Sequence, residues 1–196
     1  MNIIHPDGSA DMNTDLNFAN DEWFWKAWSE TISKRYAKAL HGHYSKHADA
    51  TIVNDRSLLS SEFLEQYAAL VMLLERFPAA PGALAGELAN WRPRSYEDYF
   101  RSAGLGDGQF AIAAFASAPA TVRRPFLATV AQLDDESLGA VEAVIDVARQ
   151  GRADLLPRLC RERAQSLRAR IEEVAQLIAA TGKPSKVSQR RALAAR

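Results

Sequence analysis

Four histidines, one cysteine and one acidic triplet are the residues of this chain with the most chemistry to offer. His41, His43 and His47 form an H-x-H-x3-H cluster. On a helix, His43 and His47 stand at i, i+4, where both imidazoles can meet one metal ion from one face. Such a site needs a third ligand, and neither H-E-x-x-H nor C-x-x-C accompanies the pair. No metal or other cofactor is therefore expected. Asp134-Asp135-Glu136 presents hard carboxylate oxygens of the kind Mg²⁺ prefers. The triplet directly precedes an apolar-periodic run, so Asp134 is expected to cap a helix and its neighbours to charge the first turn. Cys160 stands among Arg158, Arg161 and Arg163, which would depress a thiol's pKa. It also falls on an apolar seam with no histidine near it in sequence, and a small buried residue is expected there. Gly104-Leu105-Gly106-Asp107-Gly108 follows no strand and lacks the Lys-Ser/Thr of a phosphate loop, so it reads as a helix end and turn.

The elements that would position these residues are all helical. Asn20 is an expected N-cap, followed by Asp21 and Glu22, for a first helix running to about His47. On it Phe24, Trp25, Trp28, Ile32, Tyr36, Ala39 and His43 share one broad stripe, and Trp23 falls well off it. After a polar link through Asn54 and Asp55, Ser60 caps a second helix that Pro78 and Pro81 end near Phe77. Phe63, Tyr67, Leu70, Leu74 and Phe77 repeat at 4, 3, 4, 3, and Leu64, Val71, Met72 and Leu73 widen that face, which places this helix at the centre. Short helices are expected over 82–90, after a Ser95/Asp98 capping arrangement, and over 109–117. Another starts around Pro125 and runs to about 133. A further one, capped by Asp134, buries Leu138, Val141, Ile145 and Ala148 and stops at Gly151. Asp154 caps the last, whose seam is Cys160, Ala164, Leu167, Ile171, Val174 and Ile178, with Gly182 and Pro184 as its stop. Thr51-Ile52-Val53 is too short to count as a strand, and no internal repeat is evident.

Charge is unevenly spread over a net of zero. Residues 1–22 hold five acids and no Lys or Arg, while residues 149–196 hold twelve Lys/Arg against four acids. Either an anionic partner meets the basic end, or the two ends compensate each other. His43-Tyr44-Ser45-Lys46 resembles, over four residues, the H-x-x-K stretch of histidine phosphotransfer domains. In those domains a helix-borne imidazole accepts a phosphoryl group and the Lys assists. They usually follow the Lys with Gly, and this chain has His47 there. The chain is also similar in length to TetR-type regulators. Those open with a helix-turn-helix of about fifty residues, whereas the corresponding stretch here is an acidic leader and one long helix. Di-iron bundles require paired Glu-x-x-His motifs, which are missing, and every histidine precedes residue 48, so a late helix has no proximal haem ligand.

The expected molecule is all-α: one bundle of about six to eight helices over residues 20–182, with a disordered acidic leader at 1–19 and a flexible basic tail at 183–196. No run of about 18 apolar residues occurs. The polar start and the lone cysteine lead to the expectation of a cytoplasmic location. Abundant Ala and a preference for Arg over Lys fit a GC-rich bacterial source. The leading functional expectation is a non-enzymatic regulatory, adaptor or assembly protein working through protein–protein contacts. Trp23, Lys183, Lys186, Arg190, Arg191 and Arg196 are its expected partner-binding residues. The alternatives are a nucleic-acid-associated regulator using the basic C-terminal segment, and a helical enzyme or phosphotransfer protein with its site at His41–His47.

Overall fold

In the computed structural model, seven α-helices and two short 3-10 segments make up most of the described residues, which are 21–48, 51–104 and 106–179, without the side chains of 21–29, 31 and 32. No strand occurs among them. The expected leader and tail lie outside them. So do Gly182 and Pro184. The helices are α1 (Asp21–Ala48), α2 (Glu65–Arg76), α3 (Pro81–Asn90), α4 (Tyr96–Ser102), α5 (Gly108–Ser117), α6 (Ala120–Arg149) and α7 (Leu156–Ala179). The chain divides into two units, residues 1–38 and 39–196, so that α1 runs through the boundary. None of the described helices is long and apolar enough to cross a membrane.

Within the second unit, α7 packs against both α6 and α2. Its seam explains this: Cys160, Ala164, Leu167, Val174 and Ile178 are buried and Ile171 is half-buried, at helical spacing. Phe63, Tyr67, Leu70, Leu74 and Phe77 answer from the second helical segment, all buried as their spacing predicts. Full burial of each such side chain contributes about 1.5–3 kcal/mol. Met72 does not join them; it is 58% exposed. An aromatic layer joins α4 and α5 to this core, with Tyr96 stacked on Phe115 at 4.4 Å and Phe63 5.2 Å from Tyr96.

The capping signals resolve unequally. The Ser60 side chain accepts from the Glu62 N–H at the start of the 3-10 turn Ser61–Leu64 that leads into α2. Ser95 accepts from the Asp98 N–H and starts α4. Gly151 takes φ +72°, and the Arg152 N–H reaches back to the Val147 carbonyl at 3.2 Å, a left-handed stop to α6 that glycine permits. Asp134, by contrast, caps nothing. The two helices expected on either side of it are one, α6, with Pro125 inside and Asp134 mid-helix. Phe126, Val130, Leu133, Ser137, Ala140 and Val144 are buried at spacings of 4, 3, 4, 3 and 4 straight through the acidic triplet, and that continuous face overrides the cap signal. Asp154 likewise sits in the turn before α7, whose first residue is Leu156.

The link at 51–60 is not simply polar. It buries Val53, Leu58 and Leu59 completely. Asn54 Oδ1 accepts from the Arg56 and Ser57 N–H groups, and Leu58 stands at φ +58° with its N–H on the Asn54 carbonyl. The buried Tyr96 hydroxyl accepts from the Ser60 N–H at 2.8 Å, fixing this loop to α4.

Candidate functional site

The histidine cluster forms at the end of α1, but not as a three-ligand site. His43 and His47 are exposed, their rings 4.5 Å apart, and His47 Nδ1 lies 2.8 Å from the His43 carbonyl oxygen. His41 is half-buried and points from the other side of the helix, because two residues turn it by about 200° relative to His43. Among the described residues, no group of three or more His, Cys, Asp or Glu is placed to hold a metal ion. The expectation that His43 would lie on a packed face fails, since Ala39 and His43 are both exposed. Tyr44 anchors this end instead, its ring edge-on to Phe110 at 5.2 Å, while the Ser45 hydroxyl donates to the Asp55 carbonyl.

Cys160 is 1% exposed, and burial pushes its thiol up to about 11. The neighbouring arginines are exposed and do not reverse this. Asp134 faces α2, where it accepts a hydrogen bond of 2.5 Å from the Tyr67 hydroxyl. Burial raises the Asp134 carboxyl above its ordinary range, Tyr67 opposes that rise, and the Asp135 charge adds to it. Tyr67 is itself pushed far up, by burial first and by Asp134 second. The pair is a structural tie between α2 and α6 with its proton held on the phenol.

Arginines of α7 are largely spoken for. Arg158 pairs with Glu162 at 2.8 Å, Arg168 with Glu75 of α2 at 2.6 Å, and Arg170 bridges Glu136 of α6 at 3.3 Å and Glu173. The Ser166 hydroxyl also donates to Glu136. Much of the helical part of the basic segment is thus compensated within the chain. Lys183, Lys186, Arg190, Arg191 and Arg196 lie outside the described residues.

Among the described residues, apolar groups reach solvent at Met72, at Leu127 and on two further surfaces. One is an open groove between α3 and α6, about 370 Å³ at the end nearer Arg92, lined there by Ala89, Leu138, Val141 and Ile145 and edged by Glu142 and Arg149. It continues past Ala85 and Ala148 toward Pro81. The groove exists because α3 is built of Gly and Ala opposite α6 and cannot fill the space. Leu138, expected in the core from its spacing, is exposed here. The signal for the groove was the Pro81-Gly82-Ala83 and Ala85-Gly86 composition of the facing helix.

The other surface is α1. Every side chain from Ser33 to Ala39 is exposed, and Tyr36 is 66% exposed. Seven consecutive residues cover two full turns, so among the described residues exposed side chains stand on every face of the helix over that stretch. Trp23 lies near the start of α1, with its side chain among those not described. By register it falls on the side opposite Trp25, Trp28 and Tyr36. No family model, curated protein or solved structure matches this chain.

Proposed function

We propose that this chain is a non-catalytic helical interaction protein, a regulator, adaptor or assembly factor, whose partner contacts are made on α1. The observation that carries the reading is the exposure of Ser33–Ala39 on a helix that also bears Trp23, Trp25, Trp28, Ile32 and Tyr36. Isolated helices gain little from propensity alone, and most helical stability in proteins comes from packing one face. A helix with exposed side chains on every face over two turns, and an aromatic stripe in the same register, gains that stability when a second protein covers it. Trp and Tyr are also the residue types that dominate the energetics of protein interfaces. The basic residues Lys183, Lys186, Arg190, Arg191 and Arg196 supply a second contact for an acidic partner surface.

The test is affinity purification from the native host, comparing the wild-type chain with the variant Trp25→Ser/Trp28→Ser/Tyr36→Ser. Circular dichroism of both proteins checks that the rest of the bundle keeps its fold. A protein retained in stoichiometric amount by the wild type and lost from the variant is expected. Retention of the same proteins by both, or of none by either, refutes the assignment of the contacts to α1.

A further inference from the structure

The end of α1 carries a pair of side chains that neither the packing nor the proposed function uses. His43 and His47 stand one turn apart, both exposed, with ring centres 4.5 Å apart and planes tilted by 39°. His47 Nδ1 lies 2.8 Å from the His43 carbonyl oxygen. A carbonyl oxygen only accepts, so this nitrogen carries the ring proton and donates it. The lone pair of the neutral ring is then on Nε2. Metal-bound histidines are held in this way. Their second nitrogen donates to a carboxylate or a backbone carbonyl, which fixes the tautomer and raises the basicity of the ligating nitrogen.

The ring separation also selects a geometry. A metal ion about 2.0–2.1 Å from a ring nitrogen stands about 3.2 Å from that ring's centre. Two ring centres 4.5 Å apart can both reach such an ion, and they subtend about 90° there. That is the angle between neighbouring ligands in the square-planar and tetragonal sites of Cu²⁺ and Ni²⁺. A tetrahedral Zn²⁺ site opens the angle to about 109° and sets the ring centres about 5.2 Å apart. Among the described residues no group of three His, Cys, Asp or Glu forms here, so the remaining positions belong to water. An ion held by two imidazoles exchanges with solution and is not a resident cofactor.

We propose that His43 and His47 form a two-imidazole site for a divalent copper or nickel ion, bound through Nε2 of His47 and a ring nitrogen of His43. Both ligands lie near the end of α1, so the ion braces the turn from which Tyr44 meets Phe110 and Ser45 meets Asp55. His41, about 200° around the helix from His43, takes no part.

The experiment is a calorimetric titration of the untagged full chain with Ni²⁺ in a non-coordinating buffer near neutral pH. Thermal melts with and without the ion accompany it. Wild type is compared with His41→Gln, His43→Gln and His47→Gln, and circular dichroism checks that all four are folded. A glutamine at position 47 can still donate to the His43 carbonyl, so it removes the ligand without removing a donor. Wild type and His41→Gln are expected to bind one Ni²⁺ and to melt higher in its presence. The second imidazole binds intramolecularly, so losing either one should weaken binding at least ~tenfold and abolish the rise in melting temperature. The proposal is overturned if wild type takes up no Ni²⁺ at submillimolar concentration. It is equally overturned if His43→Gln and His47→Gln bind as tightly as wild type, which would leave His47 as a helix cap alone. Tighter binding of Zn²⁺ than of Ni²⁺ by the wild type would overturn the assignment to copper or nickel.

Discussion

Tyr67 and Asp134 show how a residue with the signature of a cap becomes a core tie. The Tyr67 hydroxyl is the donor that a half-buried carboxylate needs, and removing it leaves Asp134 desolvated without a partner. Tyr67→Phe is expected to cost about 1–3 kcal/mol, measured by urea unfolding at neutral pH. Asp134→Asn keeps an acceptor for Tyr67 and removes the buried charge. A carboxyl raised in the folded state takes up its proton earlier on acidification, so its contribution favours the fold as pH falls and is lost as pH rises through its titration. The Asn variant should therefore be more stable than wild type near neutrality, with the difference shrinking toward acid pH. A difference that grows on acidification would contradict the assignment. Cys160 makes a plainer case. Its buried thiol, pushed up to about 11, should resist a thiol reagent at pH 8 until denaturant is added. Stoichiometric labelling of the native protein within minutes would contradict its placement on the α7 seam.

At the scale of elements, legibility depended on whether a repeat ran unbroken. The seam from Cys160 to Ile178 and the stripe from Phe63 to Phe77 were readable because each position is an ordinary apolar residue at a regular interval. The face of α6 was equally regular, but Ser137 sits in the middle of it, fully buried, and Asp134-Asp135-Glu136 mimics a first turn. Local polarity therefore suggested a break that tertiary packing does not make. Link 51–60 hides its burial for the opposite reason, because its apolar doublets Ile52-Val53 and Leu58-Leu59 have no period and yet all four are buried. The candidate site was less legible than the fold. The stripe on α1 was visible, but apolar spacing identifies a face and not what covers it. Within α2, Leu70→Ala and Leu74→Ala should each cost ~2–5 kcal/mol, because both are fully buried against the core. Met72→Ala, at an exposed position of the same helix, should stay within about 0.5 kcal/mol. Equal losses at positions 70, 72 and 74 in denaturant melts would mean that α2 does not present the face described.

Across the whole molecule, charge is organised at two ends. Three arginines of α7, Arg158, Arg168 and Arg170, are compensated by Glu75, Glu136, Glu162 and Glu173, while residues 183–196 hold five Lys/Arg and no acid. The buried seam of α7 has its last described position at Ile178. Deleting residues 183–196 is therefore expected to leave the melting temperature nearly unchanged while weakening binding to an acidic partner. Contacts of this kind fade with salt over a screening length of ~8–10 Å. If the partner were nucleic acid, the log–log salt slope would be steep, at roughly 0.7–0.9 per phosphate neutralised; a protein partner gives a shallower one. A large fall in melting temperature on truncation would make the tail part of the fold.

The claim that α1 is the contact element is tested most directly by placing a photo-crosslinking residue at Tyr36, which is exposed on the stripe, and irradiating the native host. A covalent adduct between this chain and a protein, a second copy or another, is the predicted result, with a control crosslinker at the exposed position Gln109 giving none. Adducts at position 36 that are confined to the same chain, or no adduct at all, would contradict the account.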